Sequence, residues 1–227
     1  MTDPVVPTPK PVKRNAEQDQ LIADKITAAA QYLDTIEGDP EISAALATRG
    51  YDAAKLTEGR GLHQTAQAAF TQRQLTLAAQ GHATAGVSGN AATAREMVID
   101  FRETVRSITA FTAADRTALK VTGTLPTDKQ KFITLARASY QAAQQPPYAA
   151  TLATYGFPAA TITAALAALD AYSKADTDQN TAIGSATKAP ADRNAAVKEL
   201  DAYMKQLKGI AKVALRQRPD LLKKLNG

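Results

Sequence analysis

A short segment occurs twice in this chain, and it constrains the fold more than any other feature. Residues 46–56 read Leu46-Ala-Thr-Arg-Gly50-Tyr51-Asp52-Ala-Ala-Lys-Leu56, and residues 152–162 read Leu152-Ala-Thr-Tyr-Gly156-Phe157-Pro158-Ala-Ala-Thr-Ile162. The match extends in both directions at a separation near 106 residues. Ile26-Thr27 falls over Ile133-Thr134, and Pro40 over Pro146. Phe101, Val105 and Ile108 fall over Tyr203, Leu207 and Ile210, and Leu119 to Gly123 resembles Leu222 to Gly227. Several matches in the same order indicate an internal duplication, and a repeat must be recognised before any other reading of a fold.

The repeated segment has a physical reading as a helix–helix corner. A glycine just past a helix end takes the left-handed conformation without a side-chain penalty. In the Schellman arrangement the residue after that glycine packs back on the residue four positions before it. This pairs Tyr51 with Leu46 and Phe157 with Leu152. Asp52 then suits a helix N-cap and Pro158 a first helical turn, two answers to one problem at one repeat position.

Alanine contributes 48 of the 227 residues, and aromatics only 5%. Alanine is the best helix former, and alternating β-branched runs are scarce, so the expected fold class is all-α. The expected architecture is two tandem helical-bundle repeats, each with a long helical hairpin, one further helix and short corner helices. Residues 1–16, rich in proline, read as a disordered tail. The repeats read as 17–123 and 126–227, packed as one compact domain about a pseudo-twofold axis.

Along the chain, Leu21, Ile22, Ile26, Ala29, Ala30 and Leu33 give helical spacing over 16–36. A short helix from Pro40 ends at Gly50, and a long one starts at Asp52. Gly86 to Asn90, with two glycines and an asparagine, predicts a turn before a helix over 91–111. Thr112 with Asp115 and Thr127 with Gln130 resemble capping boxes. In the second repeat Pro190 predicts the corresponding turn, between helices over 158–187 and 191–217. Residues 71–95 and 173–196 lose large apolar anchors, which predicts two polar helical arms that project into solvent or pack through small residues.

The closing segment Ile210-Ala-Lys-Val-Ala-Leu215, followed by Pro219-Asp-Leu-Leu-Lys-Lys-Leu225-Asn-Gly227, resembles the end of a family of uncharacterised bacterial helical proteins. That family shows Ile-Ala-x-x-Ala-Leu, then Pro-x-Leu-Leu-x-x-Leu-Gly, and a repeated Tyr-Gly-Tyr-like corner. The resemblance implies a duplicated helical bundle and brings no activity, cofactor or functional residue.

The chain offers little for chemistry. With no cysteine there is no disulfide, thiolate metal site or cysteine nucleophile. His63 and His82 stand in no Glu-x-x-His or His-Glu-x-x-His spacing. Asp170, Asp176 and Asp178 form no EF-hand pattern. Gly59-Arg-Gly61 and the glycines of 81–89 match no phosphate loop, and Gly-x-Ser-x-Gly is absent. The expectation is a protein that is not an enzyme and uses no cofactor, metal or small-molecule substrate. With no secretory leader and no apolar run of membrane-spanning length, it is expected in the cytoplasm.

One signal rises above this background. From Lys198 to Gly227 eight basic residues face three acidic ones, a net of +5 that equals the formal charge of the whole chain. Lys205, Lys208, Lys212 and Arg216 recur at spacings of three and four, so they share a helical face. Such a stripe can attract phosphate backbones or an anionic membrane surface. Lysines near a helix C-terminus also complement its dipole, and no aromatic is interleaved to stack on bases. The first functional expectation is therefore a structural or protein-interaction bundle with a protein partner or self-association. The alternative is an accessory protein that binds an anionic partner through the basic stripe.

Overall fold

The computed structural model describes residues 13–226. Among the described residues there are eight α-helices and no strand: α1 (Lys13–Gly38), α2 (Pro40–Ala47), α3 (Ala53–Ser107), α4 (Ala113–Ala118), α5 (Lys129–Ala143), α6 (Tyr148–Thr154), α7 (Ala159–Ala214) and α8 (Pro219–Asn226). The all-α expectation holds. The proline-rich tail lies largely outside the described residues, but its last four residues, 13–16, are helical.

Both repeated corners form as the sequence requires. Gly50 and Gly156 have φ of +82° and +90°. The Tyr51 amide donates to the Leu46 carbonyl at 3.1 Å, and the Phe157 amide to the Leu152 carbonyl at 2.9 Å. These are the closing bonds of Schellman motifs. All four side chains are buried. α4 ends in the same way with Lys120 in the glycine's place, at φ +57°. The capping box of Thr112 and Asp115 is present. At α5, however, the cap is Asp128, whose carboxylate accepts from the Lys131 amide at 2.8 Å, rather than Thr127 with Gln130.

The two expected hairpins do not exist. α3 runs unbroken for 55 residues through Gly86–Asn90, and α7 for 56 residues with Pro190 inside it. Packing overrides the local signals. Val87, Ala91, Ala94, Val98, Phe101 and Val105 pack in or against one core at alternating four- and three-residue spacing, which requires a helix throughout. A glycine in a helix costs only about 1 kcal/mol relative to alanine. In α7, Ala189 is buried just before the proline, and Val197, Leu200 and Leu207 are buried beyond it.

The chain divides into two compact units, and they are not the two sequence repeats. One contains residues 13–76 and 187–226, the other 77–186. The compact units do not coincide with the repeats expected over 17–123 and 126–227. Each unit takes the first part of one repeat and the second part of the other.

The first unit buries the apolar stripe of α1 (Ile22, Ile26, Ala29, Leu33, Ile36) with Leu56 of α3, Leu200 and Leu207 of α7, and Leu221 and Leu225 of α8. Tyr51 and Tyr203 meet there, with ring centroids 5.9 Å apart. The second unit centres on Phe101 of α3, whose ring lies 5.0 Å from that of Tyr140 and 5.3 Å from that of Phe157. Arg102 and Arg106 hold the loop after α4. Arg102 donates to the carbonyls of Lys120, Thr122 and Gly123, and Arg106 to those of Val121 and Gly123. Among the described residues no single helix is long and apolar enough to cross a membrane.

Candidate functional site

The last turns of α7 turn Leu200, Tyr203, Met204, Leu207 and Ala211 into the core of the first unit. Lys205, Lys208 and Lys212 are left exposed on the outer flank. Arg216 is exposed too, but α7 ends at Ala214, so this fourth member of the stripe stands in the turn before Pro219 rather than on the helix.

The basic residues of this segment divide into two groups. Arg218 is tied to Glu41 of α2 at 2.8 Å and to Asp220 at 3.0 Å. Lys224 bonds Asp39 at 2.8 Å. Asp39 also caps α2, accepting from the amides of Glu41 and Ile42. The Lys224 ammonium, assisted by these amides, holds its carboxyl below the usual carboxylate range. These two cations therefore fasten α8 to α2. Lys208 lies 5.2 Å above the Tyr32 ring, a cation–π contact with α1. Burial pushes the Tyr32 phenol up to about 12, so the ring beneath Lys208 stays neutral in the physiological range. Lys208 and Lys224 also line a notch of about 260 Å³ with Gln31, Tyr32 and Thr35.

Lys198, Lys205, Lys212, Arg216 and Lys223 have no ion-pair partner among the described residues. Asp201, one turn before Lys205, is neutralised by Lys25 at 2.6 Å, while Glu199 stands exposed beside Lys198. The exposed flank thus carries uncompensated positive charge. Of the four residues of the expected stripe, Lys205, Lys212 and Arg216 are in the open, and Lys208 is drawn onto Tyr32.

The other weighed residues are accounted for by ordinary contacts. Asp170 pairs with Arg137 at 2.5 Å, Asp176 with Lys129, and Asp178 with Lys174 at 2.6 Å. His63 is half-buried in the first unit and His82 exposed in the second. Among the described residues no three His, Asp or Glu side chains are grouped to hold a metal ion.

One cluster was missed by the reading of the sequence. Asp19 of α1, Arg73 of α3 and Arg193 of α7 meet in the first unit, where the Asp19 carboxylate bridges both guanidiniums. A signal was available. Asp19 extends the series Ile22, Ile26, Ala29, Leu33, Ile36 by one core-facing step, and Arg193 extends Ala196, Leu200, Tyr203, Leu207 in the same way. An apolar periodicity does not mark charged residues at inward positions. The polar stretches expected to form hairpin tips hold these contacts within helices. In the second unit a similar contact joins Gln179 Nε2 to Thr84 Oγ1 at 3.1 Å.

No protein-family model matches this chain, and no curated protein or solved structure matches it.

Proposed function

We propose that this chain acts without catalysis, as a helical interaction protein that engages an anionic partner through the outer flank of α7 in the first unit. The observation that carries this reading is the contrast among neighbouring cations. Arg218 and Lys224 are consumed by Glu41 and Asp39, whereas Lys205 and Lys212 on α7 and Arg216 in the turn that follows are exposed and without an ion-pair partner among the described residues. Unpaired cations on one flank raise the local anion potential and release counterions when they meet a phosphate backbone or an anionic bilayer.

The test compares wild type with the variant Lys205→Glu/Lys212→Glu/Arg216→Glu. Binding is measured to a mixed-sequence duplex and to vesicles containing an anionic lipid, across a salt series. Wild-type affinity should fall steeply with salt, and the variant should lose about three units from the log–log slope if three phosphates are contacted. Binding that is insensitive to salt and survives the charge reversal would reject the basic flank. The reading would then return to a protein partner or self-association through the small-residue stretches of α3 and α7.

A further inference from the structure

A buried tyrosine of the first unit borders a cavity and has no partner for its hydroxyl. Tyr32 of α1 is 6% exposed, and it lines the notch of about 260 Å³ between α1, α7 and α8. Its hydroxyl makes no hydrogen bond among the described residues. Tyr203, equally buried, donates its own to the Lys55 carbonyl at 2.6 Å. The Tyr140 hydroxyl is unpartnered because the core seals it off. The Tyr32 hydroxyl is not sealed in this way. A buried tyrosine hydroxyl ordinarily finds a partner, so an open one beside a cavity calls for a ligand.

The walls of the notch offer donors in excess. Lys208 lies 5.2 Å from the centre of the Tyr32 ring and forms no ion pair among the described residues. Its ammonium carries three N–H donors and no acceptor. Lys224 gives one donor to Asp39 at 2.8 Å, which balances its charge and leaves two. Gln31 adds a side-chain amide. The Thr35 hydroxyl is already spent, donating to the Gln31 carbonyl at 2.8 Å. Among the described residues no carboxylate lines the notch. One uncompensated positive charge therefore stands beside a phenol that keeps its proton at neutral pH.

We propose that this notch binds one phosphate monoester, held by the Lys208 ammonium and the Tyr32 hydroxyl. A monoester brings three strong acceptor oxygens and close to two negative charges. That matches an unpaired ammonium with a phenol and an amide beside it, whereas a carboxylate offers two oxygens and one charge. Space is available, because a water takes about 30 Å³ in the liquid and the notch holds several. The inference goes beyond the basic flank of α7. The notch takes one group by its hydrogen bonds, the flank takes an extended surface by charge, and either can fail without the other.

The full chain is titrated by calorimetry with glycerol phosphate and with acetate, above the second phosphate pKa of about 6. Salt is held near 0.15 M, where charges more than about 8 Å apart are largely screened. Glycerol phosphate should bind at one site, about tenfold or more tighter than acetate. Tyr32→Phe removes only the hydroxyl and should weaken the phosphate about tenfold. Its thermal midpoint should match wild type, because that hydroxyl has no internal bond to lose. Lys208→Met should abolish binding. Lys205→Gln/Lys212→Gln/Arg216→Gln should keep it within a few-fold and keep its dependence on Tyr32. Vesicles bearing a phosphomonoester-headed lipid identify the source: retention lost in Tyr32→Phe marks a lipid headgroup, and binding of the soluble ester alone marks a free metabolite. Equal affinity for acetate, or a phosphate affinity unmoved by Tyr32→Phe, would overturn the proposal. So would binding that disappears when the flank alone is neutralised.

Discussion

Gly59 has no room for a side chain. A Cβ placed there would stand 2.4 Å from Cε1 of Tyr203, whose ring is buried and whose hydroxyl donates to the Lys55 carbonyl at 2.6 Å. The ring cannot swing aside without giving up that bond. Gly61, one turn-half further along α3, meets nothing within 4 Å. Gly59→Ala should therefore destabilise the protein by about 1–3 kcal/mol through overpacking. Gly61→Ala should stabilise it by up to about 1 kcal/mol, because alanine is the better helix former. Denaturant unfolding of both single variants checks this, and adding Tyr203→Leu should abolish most of the Gly59→Ala penalty. Equal behaviour of the two glycines would reject the close approach. Gly59-Arg-Gly61 matches no phosphate loop, and no local pattern marks a role for Gly59. The role depends on a residue 144 positions away, as the numbering of Gly59 and Tyr203 shows. The corner glycines, in contrast, were legible because a Schellman motif is closed by residues within six positions of one another.

At the scale of the element, the long helices show how burial on both sides of a weak point keeps a helix whole. Pro190 lacks the N–H that would bond the carbonyl four residues back. α7 nevertheless continues, with Ala189 buried directly before the proline and Arg193, Ala196 and Val197 buried after it. Pro190→Ala should restore that bond and raise stability by about 1–3 kcal/mol in chemical unfolding. A chain that turned at Pro190 would instead be unaffected or weakened by the change. The stripe through Gly86–Asn90 could have been followed in the sequence, since Val87, Ala91 and Ala94 lead directly into Val98 and Phe101. Glycine and proline are local punctuation, and the strength of the packing against them is not a local property. The basic stripe shows the same limit. Its spacing was readable, but the removal of Lys208 onto Tyr32 and the end of α7 before Arg216 came from α1 and from the turn into α8.

At the scale of the whole molecule, each compact unit is assembled from both halves of the chain. A protease site placed in the segment between α4 and α5, at residues 124–126, allows this to be tested on the folded protein. After cleavage the two fragments should co-elute as one species in native buffer and separate only in denaturant. Fragments that part in native buffer would show that residues on either side of the cut fold as independent repeats. The sequence by itself determined the helical class, the short helices that lead into the two corners, and the chemistry of the corners. Those properties follow from intrinsic propensity, capping and bonds between residues close in the chain. Only the tertiary structure decided that α3 and α7 stay unbroken, which half of each joins which unit, and which cations are bound and which are open. These outcomes rest on contacts such as Arg193 with Asp19 and Lys224 with Asp39, between residues more than 170 positions apart. A one-dimensional pattern marks which faces must be buried, and the partner that buries them is chosen by packing.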